Sequence, residues 1–341
     1  MSLILIGTNY RYSDVAVREK LAFSQSGIIT FLSQILKEGI STGAVILSTC
    51  QRIEIYAETY DLETIAEFLF RYKGEAKNLK NLFYIKKNEE AVYHLFMVAA
   101  GLDSQIIGEN EILHQVKEAY LLARSNNKTT TLLNRLFERS LFIGRLVRSK
   151  TGIAKADPSL SLKAVDKAEA LAGNLSLKNI FIIGAGVVSG AIAKHCAERG
   201  AKCVIVANRT FEKALNLASQ IGARAVTFEK FYNLFFKVQI LFSATGSRHL
   251  ILKKEIFQRI RQPQQKILIF DLALPRDIDP EIGYLDGVRL FNLDDLKDEG
   301  IWRDEETILA SWLVKDKAEK FLLKVKTIWK SESAPEQALL P

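Results

Sequence analysis

The apolar positions in the first 87 residues follow two different periods. Some segments resemble half-buried strands, in which every second residue is apolar, and others place apolar residues three and four apart, as amphipathic helices do. The predicted order is strand 3–9, helix 15–38, strands 43–49 and 52–58, helix 62–74 and strand 81–87. This β-α-β-β-α-β order is typical of a small ferredoxin-like domain.

The pattern is helical from about residue 89 to residue 175 and then changes. Pro158 interrupts the helical pattern, so Ser159 or Ser161 is expected to cap the next helix. From residue 179 an apolar strand, a glycine turn, a helix and a second apolar strand follow, and further apolar segments lie at 223–228, 240–246 and 266–274. Apolar strands that alternate with helices predict a parallel sheet covered on both faces.

These patterns predict an α/β protein with several domains. Residues 1–157 would form the ferredoxin-like βαββαβ domain with its helical segment. Residues 158–295 would form a doubly wound, Rossmann-type domain, and residues 296–341 a short C-terminal helical tail.

Composition limits the classes of protein that this sequence can encode. Its 341 residues contain only three scattered cysteines, which argues against a disulfide framework and favours a reducing, cytoplasmic setting. The start lacks the pattern of a secretory signal, and no apolar run reaches the roughly 18 residues of a membrane span. The net charge of +8 fits an acidic partner such as RNA and equally fits a generally basic protein.

The glycine turn at 184–189 predicts a dinucleotide site. It opens a helix directly after a strand, which brings backbone N–H groups and the helix dipole to a pyrophosphate. The turn consists of Gly184, Ala185, Gly186, Val187, Val188 and Ser189, with a serine at the usual third glycine. A purely structural turn remains the alternative.

The end of the second strand of this domain predicts the choice of coenzyme. Asn208 and Arg209 stand where an NAD-binding fold usually has a carboxylate for the ribose hydroxyls. A cation suits a 2′-phosphate, so the sequence favours NADPH over NADH. The alternative is a solvated surface arginine.

Cys50 is expected in the tight turn that joins two central strands of the predicted sheet, where a thiol is accessible. A cysteine combined with a nicotinamide coenzyme suggests that a thioester forms and is then reduced to an aldehyde. Arg52 is a nearby cation that would lower the pKa of the thiol. Cys196 and Cys203 lie in a helix and an apolar strand, so we expect them to be inert core residues.

Several long motifs, taken together, resemble the glutamyl-tRNA reductase family. They cover residues 1 to about 300 and include "GTNYRYSDVAVREKLAF", "STCQRIEIY", "HLFMVAAGLDSQIIGENEILHQVKEAY", "GAGVVS", "ANRT", "SATGS" and "DLALPRDIDP". The resemblance implies NADPH-dependent reduction of glutamyl-tRNA to glutamate-1-semialdehyde, the first step of five-carbon tetrapyrrole synthesis. It makes residues 1–157 the catalytic, glutamyl-tRNA-binding domain and residues 158–295 the NADPH-binding domain.

The resemblance also implies roles for individual residues. Cys50 would be the nucleophile, and His94 would move a proton or orient the substrate. Arg52 would hold the glutamate carboxylate, and Glu109 would meet the ammonium group. The remaining residues that the resemblance assigns to substrate binding are Thr49, Gln51, Ser104, Asn110, Glu111 and Gln115. No metal site is expected.

Some features depart from the family pattern. Gln51 and Asn110 replace the asparagine and proline that are usual there, and the C-terminal region is shorter than the family's dimerisation domain. Monomer and homodimer therefore both stay open, as does an association with the next enzyme, glutamate-1-semialdehyde aminomutase. The competing interpretations are a catalytically silent relative that binds tRNA or NADPH, and a small-molecule dehydrogenase that shares only the nucleotide fold.

Overall fold

The computed structural model describes residues 2–59, 61–74, 81–153, 159–206, 211–296 and 305–332. Contacts divide the chain into two units. Unit 1 comprises Met1–Tyr12, Phe23–Pro158 and Asp298–Pro341, and unit 2 comprises Ser13–Ala22 and Ser159–Lys297. The division near residue 158 lies close to the predicted boundary. The prediction placed residues 13–22 in the N-terminal domain and residues 296–341 in a separate tail. The contacts instead place Ser13–Ala22 in unit 2 and Asp298–Pro341 in unit 1.

Unit 1 contains a four-stranded antiparallel sheet in the order β2-β3-β1-β4. Its strands are β1 (Ser2–Asn9), β2 (Gly43–Ser48), β3 (Arg52–Thr59) and β4 (Tyr84–Lys87), and helices α2 (Gln25–Lys37) and α3 (Leu62–Lys73) connect them. The predicted ferredoxin-like order is confirmed. The expectation that Cys50 joins two central strands is wrong, because β2 lies at the edge of this sheet and, of the two strands that Cys50 joins, only β3 is central.

The described residues of unit 1 form four more helices, which are α4 (Glu89–Ala100), α5 (Glu111–Ser125), α6 (Thr131–Lys150) and α12 (Glu305–Glu332). α12 packs on α4 and α6 because it buries residues three and four apart, namely Ala310, Val314, Ala318, Phe321 and Val325. The rings of Phe96 and Phe321 lie 5.6 Å apart, edge to face. The C-terminal helix, predicted as a separate tail, therefore contributes to the core of unit 1.

Unit 2 contains a six-stranded parallel sheet in the order β10-β9-β8-β5-β6-β7. The strands are β5 (Ile180–Ile183), β6 (Cys203–Val206), β7 (Arg224–Val226), β8 (Ile240–Ser243), β9 (Ile267–Asp271) and β10 (Val288–Phe291). The helices are α7 (Leu160–Ala172), α8 (Val187–Glu198), α9 (Phe211–Gln220), α10 (Phe228–Leu234) and α11 (Lys254–Ile260). The predicted doubly wound fold is confirmed, and Ser159 caps α7 by accepting the N–H of Leu162 at 3.1 Å.

The predicted helix 15–38 is two helices, because the chain turns at Ala22 and Ser24 caps α2. The first of them, α1 (Val15–Leu21), belongs to unit 2. Its Arg18 is fully buried and bonds to Asp294 at 2.6 Å. Buried charge pairs of this kind join distant parts of the chain and leave no trace in helical periodicity.

Among the described residues, every helix is too short or too polar to cross a membrane.

Candidate active site and nucleotide-binding turn

The loop between β2 and β3 holds Cys50 in a tight, internally bonded turn. The Thr49 hydroxyl accepts the backbone N–H groups of Gln51 and Arg52, each at 3.2 Å, and the Thr49 N–H donates to the Arg52 carbonyl at 2.8 Å. The N–H of Tyr10 donates to the Gln51 carbonyl at 2.9 Å. Cys50 is half-buried and forms no disulfide. Thr49 thus shapes the turn that presents the thiol.

Arg52 is fully buried beside two carboxylates. Its Nη1 donates to Glu54 Oε1 at 2.8 Å and to Asp103 Oδ2 at 2.9 Å, and its Nη2 donates to the Asp103 carbonyl. Arg11 also pairs with Asp103. The Nε–H of Arg52 has no hydrogen-bond partner in the described part of the chain. The cation expected to hold substrate is therefore already fixed by the protein.

Glu54 is the centre of this buried cluster, and its role was missed from the sequence. Its Oε1 accepts from Arg52 Nη1 and from the Tyr84 hydroxyl and lies 2.8 Å from His94 Nε2, while its Oε2 accepts from the Tyr56 hydroxyl at 2.6 Å. Burial alone would raise the pKa of Glu54, but Arg52, His94 and the hydrogen bonds outweigh it and hold that pKa well below its usual range. The available signal was an arginine and a glutamate two apart on one face of a strand whose other face carries Ile53, Ile55 and Ala57.

His94 is buried on α4 and lies against this cluster. The Tyr84 ring contacts its imidazole at 5.3 Å between centroids, and its Nε2 lies 4.0 Å from Asp103. Ligand atoms of Glu54, His94 and Asp103 come within 4.8 Å of one another, a spacing that a metal ion could use. Arg52 bonds to both of these carboxylates, however, so its positive charge already serves as their counter-ion.

Gln51 connects the cysteine turn to a second predicted substrate residue. Its Nε2 lies 2.9 Å from both carboxylate oxygens of Glu109, and its Oε1 accepts the N–H of Gln105 at 2.7 Å. Burial, aided by the nearby Glu111 carboxylate, raises the pKa of Glu109 to about 7. Ser104 is also buried here, and its carbonyl accepts the Tyr10 hydroxyl at 3.0 Å.

The remaining predicted substrate residues lie at the start of α5. Asn110 and Glu111 are exposed, and Gln115 lies one turn further along the helix. Gln115 lines a pocket of about 120 Å³ together with Ser48, two residues before Cys50. The structure thus brings Gln51 and Glu109 together and places Gln115 at a pocket near the cysteine loop, while Asn110 and Glu111 face solvent.

The turn from Gly184 to Ser189 has the backbone geometry that a dinucleotide site needs. Gly184 has φ +112°, and a Cβ there would lie 2.6 Å from the Ala244 carbonyl. Ser189 donates to that carbonyl at 2.9 Å, whereas the space around Gly186 is open. The following residue, Val187, is 86% exposed at the start of α8. This open helix N-terminus fits a pyrophosphate.

A pair of buried carboxylates supports the loop beside this turn. Asp277 accepts from the Ser243 hydroxyl at 2.7 Å, the Thr245 N–H at 2.9 Å and the Thr245 hydroxyl at 2.6 Å. Asp271 in turn accepts the N–H groups of Asp277 and Ile278. Burial raises the pKa of Asp271 to about 7 and also raises that of Asp277. Sequence reasoning assigned neither carboxylate a role.

Cys196 and Cys203 are buried, as expected for core thiols. Asn208 and Arg209, on which the coenzyme prediction depends, lie outside the described residues.

Comparisons with known proteins agree with this arrangement. Residues 6–151 match the family model "Glutamyl-tRNAGlu reductase, N-terminal domain", and residues 166–299 match "Shikimate / quinate 5-dehydrogenase". The chain is 38% identical over 333 residues to a glutamyl-tRNA reductase of Pelotomaculum thermopropionicum, covering 94% of this chain and 75% of that protein. It is 42% identical over 303 residues to one of Carboxydothermus hydrogenoformans, covering 87% and 68%.

A solved structure agrees as well. The glutamyl-tRNA reductase of Methanopyrus kandleri superimposes with a TM-score of 0.51 at 27% sequence identity, covering 96% of this chain and 81% of that one.

Proposed function

The chain belongs to the glutamyl-tRNA reductase family, and we propose that it reduces the glutamyl group of glutamyl-tRNA to glutamate-1-semialdehyde with NADPH. The observation that carries the mechanism is the bonded turn that presents Cys50 beside the Arg52–Glu54–His94 cluster. The product would enter tetrapyrrole synthesis, the pathway that the family name implies. Because the aldehyde is reactive, we further propose that it passes directly to the aminomutase that consumes it.

The first chemical step would be acyl transfer to Cys50. Its sulfur forms a bond to the ester carbonyl carbon, and the bond from that carbon to the 3′ oxygen of the tRNA breaks. The thiol proton ends on that oxygen, so free tRNA leaves and a glutamyl thioester remains. His94, oriented by Glu54, is the group proposed to assist this proton transfer.

Recognition of the glutamyl group would use two buried, charged residues. Glu109, held by Gln51, would receive the ammonium group, whose positive charge would lower the pKa of Glu109 and complete its ionisation. Arg52 would hold the side-chain carboxylate of the substrate through its Nε–H, which has no partner among the described residues.

Unit 2 would bind the coenzyme. Its match to a dehydrogenase family model and the geometry of the turn at Gly184 support an NADP(H)-type nucleotide. NADPH in particular is proposed from Arg209, which follows the segment of β6 in the sequence. When bound, NADPH supplies the hydride that reduces the thioester to the aldehyde, and the Cys50 sulfur leaves and regains its proton.

A labelling experiment without NADPH tests the thioester. Wild-type protein mixed with glutamyl-tRNA carrying radioactive glutamate should release tRNA and become labelled. Cys50→Ser should still bind the charged tRNA through phosphate contacts but should lose nearly all label and all reduction. Cys196→Ser and Cys203→Ser are the matched controls and should keep most activity. If Cys50→Ser reduces the substrate at a near wild-type rate, hydride attacks the tRNA ester directly and the mechanism is wrong.

A further inference from the structure

Unit 2 has a second concave site at the amino-terminal ends of its strands, whereas the nucleotide-binding turn lies at their carboxyl-terminal ends. A pocket of about 470 Å³ opens where β8, β9 and β10 begin, whereas Gly184 follows the carboxyl end of β5. All these strands are parallel, so the two sites lie at opposite ends of the strands. The volume lies within the roughly 300–1,000 Å³ that small-ligand sites occupy.

The floor of the pocket is apolar. Ile240 on β8 pairs with Leu268 on β9, so their side chains point to the same face of the sheet. Ile240 is fully buried, whereas Leu268 is only half-buried. Leu171, in the last turn of α7, forms a wall and is 38% exposed. Apolar surface is therefore left accessible to a ligand in this pocket.

The rim of the pocket is positively charged. Lys178, Lys266 and Arg289 all line it, and within the described part of the chain no carboxylate does. Among the described residues, none of the three forms an ion pair. Arg289 pairs with Leu268 in the sheet, and its guanidinium lies 5.3 Å from the Phe291 ring, which keeps it on this face.

One feature of the pocket repels an anion, but the negative charge that it contributes is small. The C-terminal end of α7 lies at the pocket, and a helix C-terminus carries about half a negative charge. Three cations outweigh it, so the local potential is positive.

We propose that this pocket binds a small organic anion, with an apolar or aromatic body against Leu171 and Leu268 and an acidic group at the cationic rim. Inorganic phosphate would use the rim and leave the floor bare, and a nucleic-acid backbone would do the same. The proposal concerns unit 2 alone and is independent of the reductase reaction.

Titration of the full-length protein with 8-anilinonaphthalene-1-sulfonate tests the proposal, because this dye joins an aromatic body to a sulfonate and fluoresces when its ring leaves water. We expect saturable binding of one dye per chain, with displacement by naphthalene-2-carboxylate.

Lys266→Glu combined with Arg289→Glu should weaken binding at least about tenfold, because two attractions become two repulsions. Both positions are exposed, so the fold should survive. The charge-matched control, Lys230→Glu with Lys253→Glu, changes exposed lysines outside the pocket and should leave the affinity within about twofold.

Several outcomes would overturn the proposal. Equal dye binding by the pocket variant and wild type would show that the dye binds elsewhere. Displacement of the dye by NADPH at concentrations that saturate the coenzyme site would place it in the nucleotide cleft. Displacement by uncharged tRNA or inorganic phosphate, with none by naphthalene-2-carboxylate, would make the pocket a phosphate site.

Discussion

Replacing Glu54 by glutamine tests whether the buried cluster is an ion-paired support for the active site. Glutamine keeps the shape and one acceptor oxygen but removes the negative charge. Arg52, fully buried, would then retain Asp103 as its carboxylate partner, at 2.9 Å. His94 would face an amide in place of the carboxylate that now lies 2.8 Å from its Nε2.

The structure sets the size of the effect. Breaking a buried ion pair by removing one partner costs about 3–5 kcal/mol. Because Asp103 and the amide oxygen compensate in part, we expect Glu54→Gln to lower the free energy of unfolding at pH 7 by about 2–3 kcal/mol. Loss of the orientation of His94 should lower kcat by about a hundredfold or more, the usual range for general acid–base assistance.

The contribution of the Glu54 charge to the free energy of unfolding depends on pH in a definite direction. The pKa of Glu54 is depressed in the folded protein, so its charge stabilises the fold above the ordinary glutamate pKa of about 4.3. That contribution is lost as the pH falls below this value. Wild-type protein should therefore lose stability more steeply than Glu54→Gln below about pH 4.

Urea unfolding between pH 3 and pH 8, together with steady-state and single-turnover kinetics, measures these effects. Tyr84→Phe is a milder variant that removes one hydroxyl from Glu54 Oε1 and should fold even if Glu54→Gln does not. Tyr120→Phe is its matched control, because it also removes a hydrogen bond from a tyrosine hydroxyl to a carboxylate. That bond joins Tyr120 on α5 to Glu138 on α6, outside the cluster. Tyr120→Phe should keep full activity.

Two results would refute the reasoning. An unfolding free energy of Glu54→Gln within about 0.5 kcal/mol of wild type at pH 7 would mean that the pair contributes no more than a surface contact. A normal kcat in a clearly destabilised variant would mean that Glu54 supports the fold and does not orient His94.

Three further changes give distinct results. The pKa of Glu109 is raised to about 7, so its ionisation costs stability as the pH rises from about 4.5 through 7. Glu109→Gln should therefore be more stable than wild type by about 3 kcal/mol at pH 8 and equal to it at pH 4, measured by urea unfolding. Asp277→Asn should loosen the loop that holds Ser243 and Thr245 and weaken NADPH binding about tenfold in a fluorescence titration, while leaving thioester labelling intact. Arg209→Asp should lower kcat/KM with NADPH by at least about tenfold and spare NADH, and an unchanged preference would remove Arg209 from the site.

The local pattern of the sequence was enough to predict most of the fold. Strands and helices bury one face, so the spacing of apolar residues determines the element type, as in the β-α-β-β-α-β order of unit 1. The same reasoning placed Cys50 in a turn, since two apolar strands meet there. Gly184 was predictable because a strand, a glycine and a helix N-terminus are adjacent in sequence.

Strand order and the assignment of helices to units needed the tertiary structure. The pattern of β2 does not reveal that it lies at an edge of the sheet. α1 follows β1 directly in sequence, yet Arg18 bonds to Asp294, 276 residues away. α12 is amphipathic, but its sequence does not reveal that its apolar face would pack on α4 and α6.

The partners of the charged site residues were likewise decided only by the fold. Arg52 and His94 were identified from the sequence as candidates, but Arg52 also bonds to Asp103, 51 positions away, and His94 contacts Glu54, 40 positions away. The energy of a buried charge depends on desolvation and on the geometry of its partners, and neither leaves a periodic signal. The sequence therefore predicted which side chains would carry the chemistry, and the tertiary structure decided that Glu54 holds Arg52 and His94 and that Gln51 holds Glu109.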